Sequence, residues 1–185
     1  MRKVTAGLFH SVDGVVEAPY KFQFDSFDDQ LGEMLTGVQN RVDTVLMGRI
    51  GWSEWAGYWP RAEQDMDFAQ FINAVPKHVA SNTLSPADMA LWSNSQLIDG
   101  DLVDFVRALK AEEGGEIAAM GGISLVRQLL LAGLMDELSL ITHPVVAGEG
   151  RHLFEPSDPT TRLELVRCDV TTKGNVVQVY RKRTD

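Results

Sequence analysis

The chain has 185 residues, 44% of them hydrophobic and 23% charged, with a formal net charge of -9 and a sequence pI near 4.9. That size and balance fit one globular domain spanning 1–185 with its own core, and the acidic excess argues against nucleic acid or an anionic membrane as partner, since both need clustered Lys and Arg. The single cysteine, Cys168, excludes an internal disulfide and a CxxC metal set, and no apolar run is long enough for a signal or a bilayer span, so the expected address is the cytoplasm.

Val4 to Phe9 alternates as a first strand, and Ser11-Val12-Asp13-Gly14 follows as a turn. Val15 to Phe24 has no clean period. Pro19, Tyr20, Phe22 and Phe24 make it an aromatic loop folded partly onto the body, a possible lid, with Tyr20 a candidate for touching a substrate. Ser26 with Asp29 three residues later is a capping signal; Phe27, Leu31, Met34, Leu35 and Val38 then recur at helical spacing, predicting a first helix to about Asn40. Thr44 to Met47 is a short apolar strand, followed at once by Gly48 and Arg49. A short helix is expected over Ile50 to Trp55, a break at Gly57 to Pro60, and a longer helix over Glu63 to Ala74 that Pro76 ends.

His78 to Ser81 reads as a third strand closed by Asn82 and Thr83, with a weaker strand around Gln96 to Ile98 and a helix started by Asp101. Glu116 to Met120, Gly121-Gly122, then Ile123 to Leu131 reads as strand, double glycine and helix. The first N–H groups of such a helix have no internal partner and carry the positive end of its dipole, so an anion can dock there; the competing reading is a tight turn and nothing more. Leu138 to Val146 is the longest strand candidate, interrupted only by Pro144, and Gly148 to Arg151 is a flexible loop. Leu163 to Val170 and Val176 to Arg181 flank a Thr172-Lys173-Gly174-Asn175 hairpin turn. The expected class is α/β: a mostly parallel mixed sheet with helices on both faces, a three-layer α/β/α sandwich with a C-terminal antiparallel hairpin, binding its ligand outside the carboxyl ends of the strands.

Ser11-Val12-Asp13-Gly14, Val45-Leu46-Met47-Gly48-Arg49, Ala80-Ser81-Asn82-Thr83-Leu84, Met120-Gly121-Gly122-Ile123-Ser124 and Gly133 to Leu138 occur in one order and spacing. The chain resembles the dihydrofolate reductase-like superfamily, most closely the C-terminal reductase domain of bifunctional riboflavin-biosynthesis deaminase-reductases, over nearly its whole length. The resemblance implies bound NADPH, a small-molecule substrate and a homodimer. It places Gly48 and Arg49 at the adenosine-side phosphates, Ser81 and Asn82 beside the 2'-phosphate, and Gly121, Gly122, Ile123 and Ser124 at the pyrophosphate, with a cis peptide between the two glycines. Relatives usually carry threonine where this chain has Gly51 and often a basic residue where it has Asn82, so NADH is an alternative cofactor.

The protein of a hydride-transferring pair must orient the nicotinamide, exclude water and supply a proton. In dihydrofolate reductases a carboxylate on the first helix recognises the pterin; Asp29 and Glu33 lie in that helix without matching its position, so both also read as a capping residue and a solvated face, and folate is disfavoured. Trp52, Trp55 and Trp59, joined by Tyr58, either wall a flat substrate ring, with Trp52 foremost, or belong to the core. The four histidines are too scattered for a metal set. The expected function is an NADPH-dependent reductase of a small heterocyclic or conjugated compound; the alternative is a noncatalytic nucleotide-binding or regulatory module on the same fold.

Overall fold

Runs of branched and apolar residues bounded by glycine, proline or polar turns fold as strands, and the amphipathic segments between them as helices that cover the strands' two faces. The computed structural model describes residues 1–183. In chain order the elements are β1 (Val4–His10), α1 (Asp29–Gln39), β2 (Val42–Gly48), α2 (Arg49–Tyr58), α3 (Met66–Ala74), β3 (Lys77–Ala80), β4 (Ser95–Leu97), α4 (Leu102–Ala111), β5 (Glu116–Met120), α5 (Ile123–Leu131), β6 (Glu137–Thr142), β7 (Leu163–Val170) and β8 (Val176–Lys182). They build one sheet in the order β4-β3-β2-β5-β1-β6-β8-β7. The first six strands run parallel, and β8 is antiparallel to both β6 and β7.

Alternate strand residues face opposite layers. Val4, Ala6, Leu46, Ile117, Ala119 and Leu138 pack under α4 and α5, on Val106, Leu109, Val126 and Leu129. On the other face Val45, Met47 and Ala118 meet Trp52 of α2 and Ile72 of α3, while Ile141 and Val177 meet Leu31 of α1. The fold is therefore the three-layer α/β/α arrangement with a C-terminal hairpin, and the turn from Thr171 to Asn175 closes through Gly174, whose φ of +82° suits glycine.

Among the boundaries that depart from the sequence expectation, three have a visible cause. The cap of α1 is Asp28, not Ser26: one Asp28 oxygen accepts the Leu31 N–H at 2.9 Å and the other accepts Thr172 Oγ1 at 3.0 Å and the Lys173 N–H at 2.8 Å, so the cap also ties the helix to the hairpin. Helix α3 starts at Met66 because Asp65 turns into the left-handed region at φ +51°. Strand β6 stops at Thr142, before Pro144, which has no N–H to give a ladder.

Candidate functional site

Because β3, β2 and β5 are parallel neighbours, their carboxyl ends lie side by side. Gly48 is paired with Ala80 and Met47 with Met120, which brings the Gly48-Arg49, Ser81-Asn82 and Gly121-Gly122 turns onto one rim. Two helix N-termini converge there. Gly48 caps α2 and Gly122 caps α5, so no cap side chain takes up the first-turn N–H groups of either helix.

Backbone crosses backbone at this point. A Cβ on Gly51 would lie 1.6 Å from the Gly121 carbonyl oxygen, and one on Gly122 would lie 3.0 Å from the Gly48 nitrogen and 3.1 Å from Leu125 Cβ. The expected cis peptide between Gly121 and Gly122 is corrected: no peptide among the described residues is cis, and Gly121 makes the bend with a φ of +62° instead.

Beside the turn is a cavity of about 480 Å³ whose lining includes Arg49, Ser81, Asn82, Gly100, Asp101 and Gln128. Arg49 is exposed and makes no hydrogen bond or ion pair with any described residue, leaving its five donors for a ligand. Ser81 Oγ accepts the N–H groups of Thr83 at 3.1 Å and Leu84 at 3.0 Å, which fixes the turn and leaves its own proton free to donate. Asp101 caps α4 through the N–H groups of Val103 at 2.8 Å and Asp104 at 3.2 Å.

Next along the rim, the loop after β1 is laced to the loop after β6. Asp13 accepts from Ser11 Oγ at 2.5 Å and from the N–H groups of Ala147 and Gly148 at 2.9 and 2.8 Å, and these donors hold its carboxyl well below the usual range. Val15 bridges His152, the Val16 N–H donates to the Arg151 carbonyl at 2.9 Å, and Glu17 Oε2 accepts the Arg151 N–H at 3.2 Å. Arg151 Nη2 in turn reaches Ser124 Oγ at 3.2 Å, on the first turn of α5.

The remaining candidate side chains fall in varied surroundings. Asp29 and Glu33 are exposed on α1, on a solvated face. Trp52 is 1% exposed in the core, its indole N–H donating to Ser95 Oγ at 2.9 Å, so it is no wall of an open site. Tyr20 is 77% exposed in a short 3-10 turn over Pro19–Lys21. Trp55 and Trp59 stack edge-on with Phe68, the aromatic core that helical spacing also allowed. Arg151 and Gln128 went unselected, as did Gly7. Gly7 is exposed although it lies within central strand β1, and a Cβ on it would meet nothing within 4 Å. A glycine inside a strand pattern is the one signal that marks such a gap in sequence. Gly7 alternates with Phe9, so the gap opens on the face that α1 covers. Among the described residues no group of three or more His, Cys, Asp and Glu is placed to hold a metal ion, and no helix is long and apolar enough to cross a membrane.

A doubly wound sheet with a glycine-lined turn at the ends of its parallel strands defines a class of α/β protein. Within that class the chain belongs to the RibD C-terminal domain family, whose model matches residues 2–177. It is 29% identical over 183 residues to the uncharacterized protein YyaP of Bacillus subtilis (strain 168), covering 97% of this chain and 94% of that one. Among solved structures, a putative riboflavin biosynthesis protein from Shewanella sp. PV-4 superposes with a TM-score of 0.74 at 18% identity, covering 98% and 99% of the two chains. A pyrimidine reductase-like protein from Corynebacterium diphtheriae gives 0.66 at 16% identity, covering 100% and 93%. The diaminohydroxyphosphoribosylaminopyrimidine deaminase/5-amino-6-(5-phosphoribosylamino)uracil reductase of Thermotoga maritima gives 0.65 at 12% identity, with 98% of this chain covering 57% of that one. The family is reductase-like and the fold that of dihydrofolate reductase.

Proposed function

We propose that the protein is a cytoplasmic NADPH-dependent reductase of a small heterocyclic or conjugated compound. The observation that carries this reading is the unpaired Arg49 guanidinium in a cavity with Ser81 and Asn82, one strand away from the Gly121-Gly122 turn. These residues fit a dinucleotide. The cavity supplies a cation and hydroxyl for an adenosine phosphate, and the first-turn N–H groups of α5, which no cap side chain satisfies, are suited to a pyrophosphate. When bound, the reduced nicotinamide supplies the hydride. The chain's own part is to bind and orient it, and the open floor at Gly7 is suited to a flat ring lying against the sheet. Two structural neighbours, the pyrimidine reductase-like protein and the deaminase/reductase of a phosphoribosylaminopyrimidine, make pyrimidines the first substrates to try. The exposed Leu165, Val166 and Val170 of edge strand β7 favour a homodimer.

The exposure of Asp29 and Glu33 favours a second reading, a nucleotide-binding module without a proton donor of its own. Titration with NADPH and NADH followed by turnover assays on a pyrimidine panel separates the two. Binding with oxidation of the cofactor supports the reductase; tight binding without turnover supports the module; no binding of either dinucleotide rejects both. Arg49→Ala is expected to weaken NADPH more than NADH.

A further inference from the structure

Most of the chain's arginines are spent on carboxylates: Arg2, Arg41, Arg107, Arg127, Arg167 and Arg181 pair with Asp43, Glu116, Asp104, Glu155, Asp169 and Glu164. Arg49, Arg61 and Arg151 have no carboxylate partner among the described residues, and in a chain of net charge -9 two of the three, Arg49 and Arg151, stand at the same strand-end rim. Arg151 is also held in place. Its carbonyl and N–H are bonded to Val16 and Glu17, Asp13 anchors Ala147 and Gly148 just before it, and a Cβ on the preceding Gly150 would lie 2.5 Å from Val15 Cγ1. A loop that composition marks as flexible is thereby fixed, and the guanidinium projects from it onto Ser124.

Ser124 and Gln128 are one helical turn apart on the exposed face of α5, and Gln128 lines the cavity that holds Arg49. Arg151 therefore caps the N-terminal end of the stripe whose other end opens on Arg49. Only one nitrogen of its fork is used, by a neutral hydroxyl. We infer that Arg151 is a second anion clamp, which holds the pyrophosphate of a bound dinucleotide against the first turn of α5 while Arg49 serves the adenosine end. This rests on the dinucleotide reading above. Arg151 acts as a binding and positioning residue, and its planar fork allows it to bond Ser124 and a phosphate oxygen together.

The test uses the full chain with Arg151→Gln and Arg151→Lys and measures Kd for NADPH, NADH and adenosine 2',5'-bisphosphate, which has no pyrophosphate link. The Gln variant is expected to weaken both dinucleotides by the same factor, roughly tenfold to a hundredfold for the loss of a charge-assisted contact. The bisphosphate should change little, Lys should restore part of the loss, and the unliganded melting midpoint should stay put because the side chain is exposed. Wild-type binding with an unaffected Gln variant overturns the clamp and leaves the dinucleotide reading standing. A loss confined to NADPH moves Arg151 to the 2'-phosphate and overturns the pyrophosphate assignment. A wild-type chain that binds neither dinucleotide overturns both.

Discussion

Helix α2 and the turn after β5 meet backbone to backbone at Gly51 and Gly121, where any Cβ on residue 51 would lie 1.6 Å from the Gly121 carbonyl oxygen. That oxygen belongs to the backbone, so no flexible side chain can move aside to make room. Gly51→Ala and Gly51→Thr should therefore both destabilise, by roughly 1–3 kcal/mol as for other overpacked sites, and both should loosen dinucleotide binding. Urea unfolding with parallel NADPH titration checks this. An alanine variant of wild-type stability would show instead that the turn can take another path.

His143 is fully buried between Phe9 and Phe22, and its bonds fix its proton. Ser26 spends its hydroxyl proton on the Gln23 carbonyl at 2.6 Å, so His143 Nδ1 donates to Ser26 Oγ at 2.6 Å and Nε2 accepts from Gln23 Nε2 at 3.2 Å. A second proton on Nε2 would face that amide N–H. Burial lowers the pKa below 6.5, opposed by Asn175, helped by His10 and opposed again by Asp28. With the folded pKa depressed, the unfolded chain binds more protons. The stability contribution is then complete above about pH 6.5 and is lost as pH falls from there through the folded value. Urea midpoints of wild type and His143→Asn between neutral pH and pH 5 should show the wild type losing ground to the variant on acidification. Parallel curves would remove His143 as the source.

Strand β7 ends the sheet and exposes Leu165, Val166 and Val170 at 51%, 49% and 63%. An edge with unpaired backbone groups and apolar side chains invites a second strand. Sedimentation velocity should find a dimer, and replacing Leu165 and Val166 with Lys should yield a monomer of unchanged secondary structure. A wild-type chain that stays monomeric at tens of micromolar, the usual working range for transient partners, contradicts the homodimer.

Sequence reading was sharpest where local pattern and tertiary role coincide. The bounds of β5 and α5 follow directly from an apolar run, a glycine pair and an amphipathic segment, because each boundary is made by the residues at the boundary. It was weakest where a partner lies far along the chain. Asp28 replaces Ser26 as the α1 cap because its second oxygen is wanted by the turn at Thr172 and Lys173, more than 140 residues away. Arg151 has its meaning from Ser124, Val16 and Glu17, none of which its neighbours announce. Trp52 shows the same limit: helical spacing fits a wall or a core equally, and only the packing on α3 and the bond to Ser95 decide.

Lys77 offers the alkaline counterpart of His143. It is 1% exposed, with Nζ donating to the Ile72 and Val75 carbonyls at 2.8 and 2.7 Å and lying 4.6 Å from the Trp92 ring centroid, so it satisfies the carboxyl end of α3 without any carboxylate nearby. Burial pushes its pKa down from 10.5 to about 8. Below pH 8 both folded and unfolded chains carry the proton and the pH slope is flat; between about 8 and 10.5 the unfolded chain binds more, so stability rises with pH. A neutral amine still has two protons for the two carbonyls, which is why deprotonation relieves the desolvation without breaking the cap. Lys77→Met leaves those carbonyls without donors and should cost roughly 1–3 kcal/mol at neutral pH. Because methionine cannot titrate, that gap should widen by an amount of the same order when unfolding is repeated near pH 10. A gap that is constant from pH 7 to pH 10 would mean that the buried ammonium keeps its proton as readily as an exposed one.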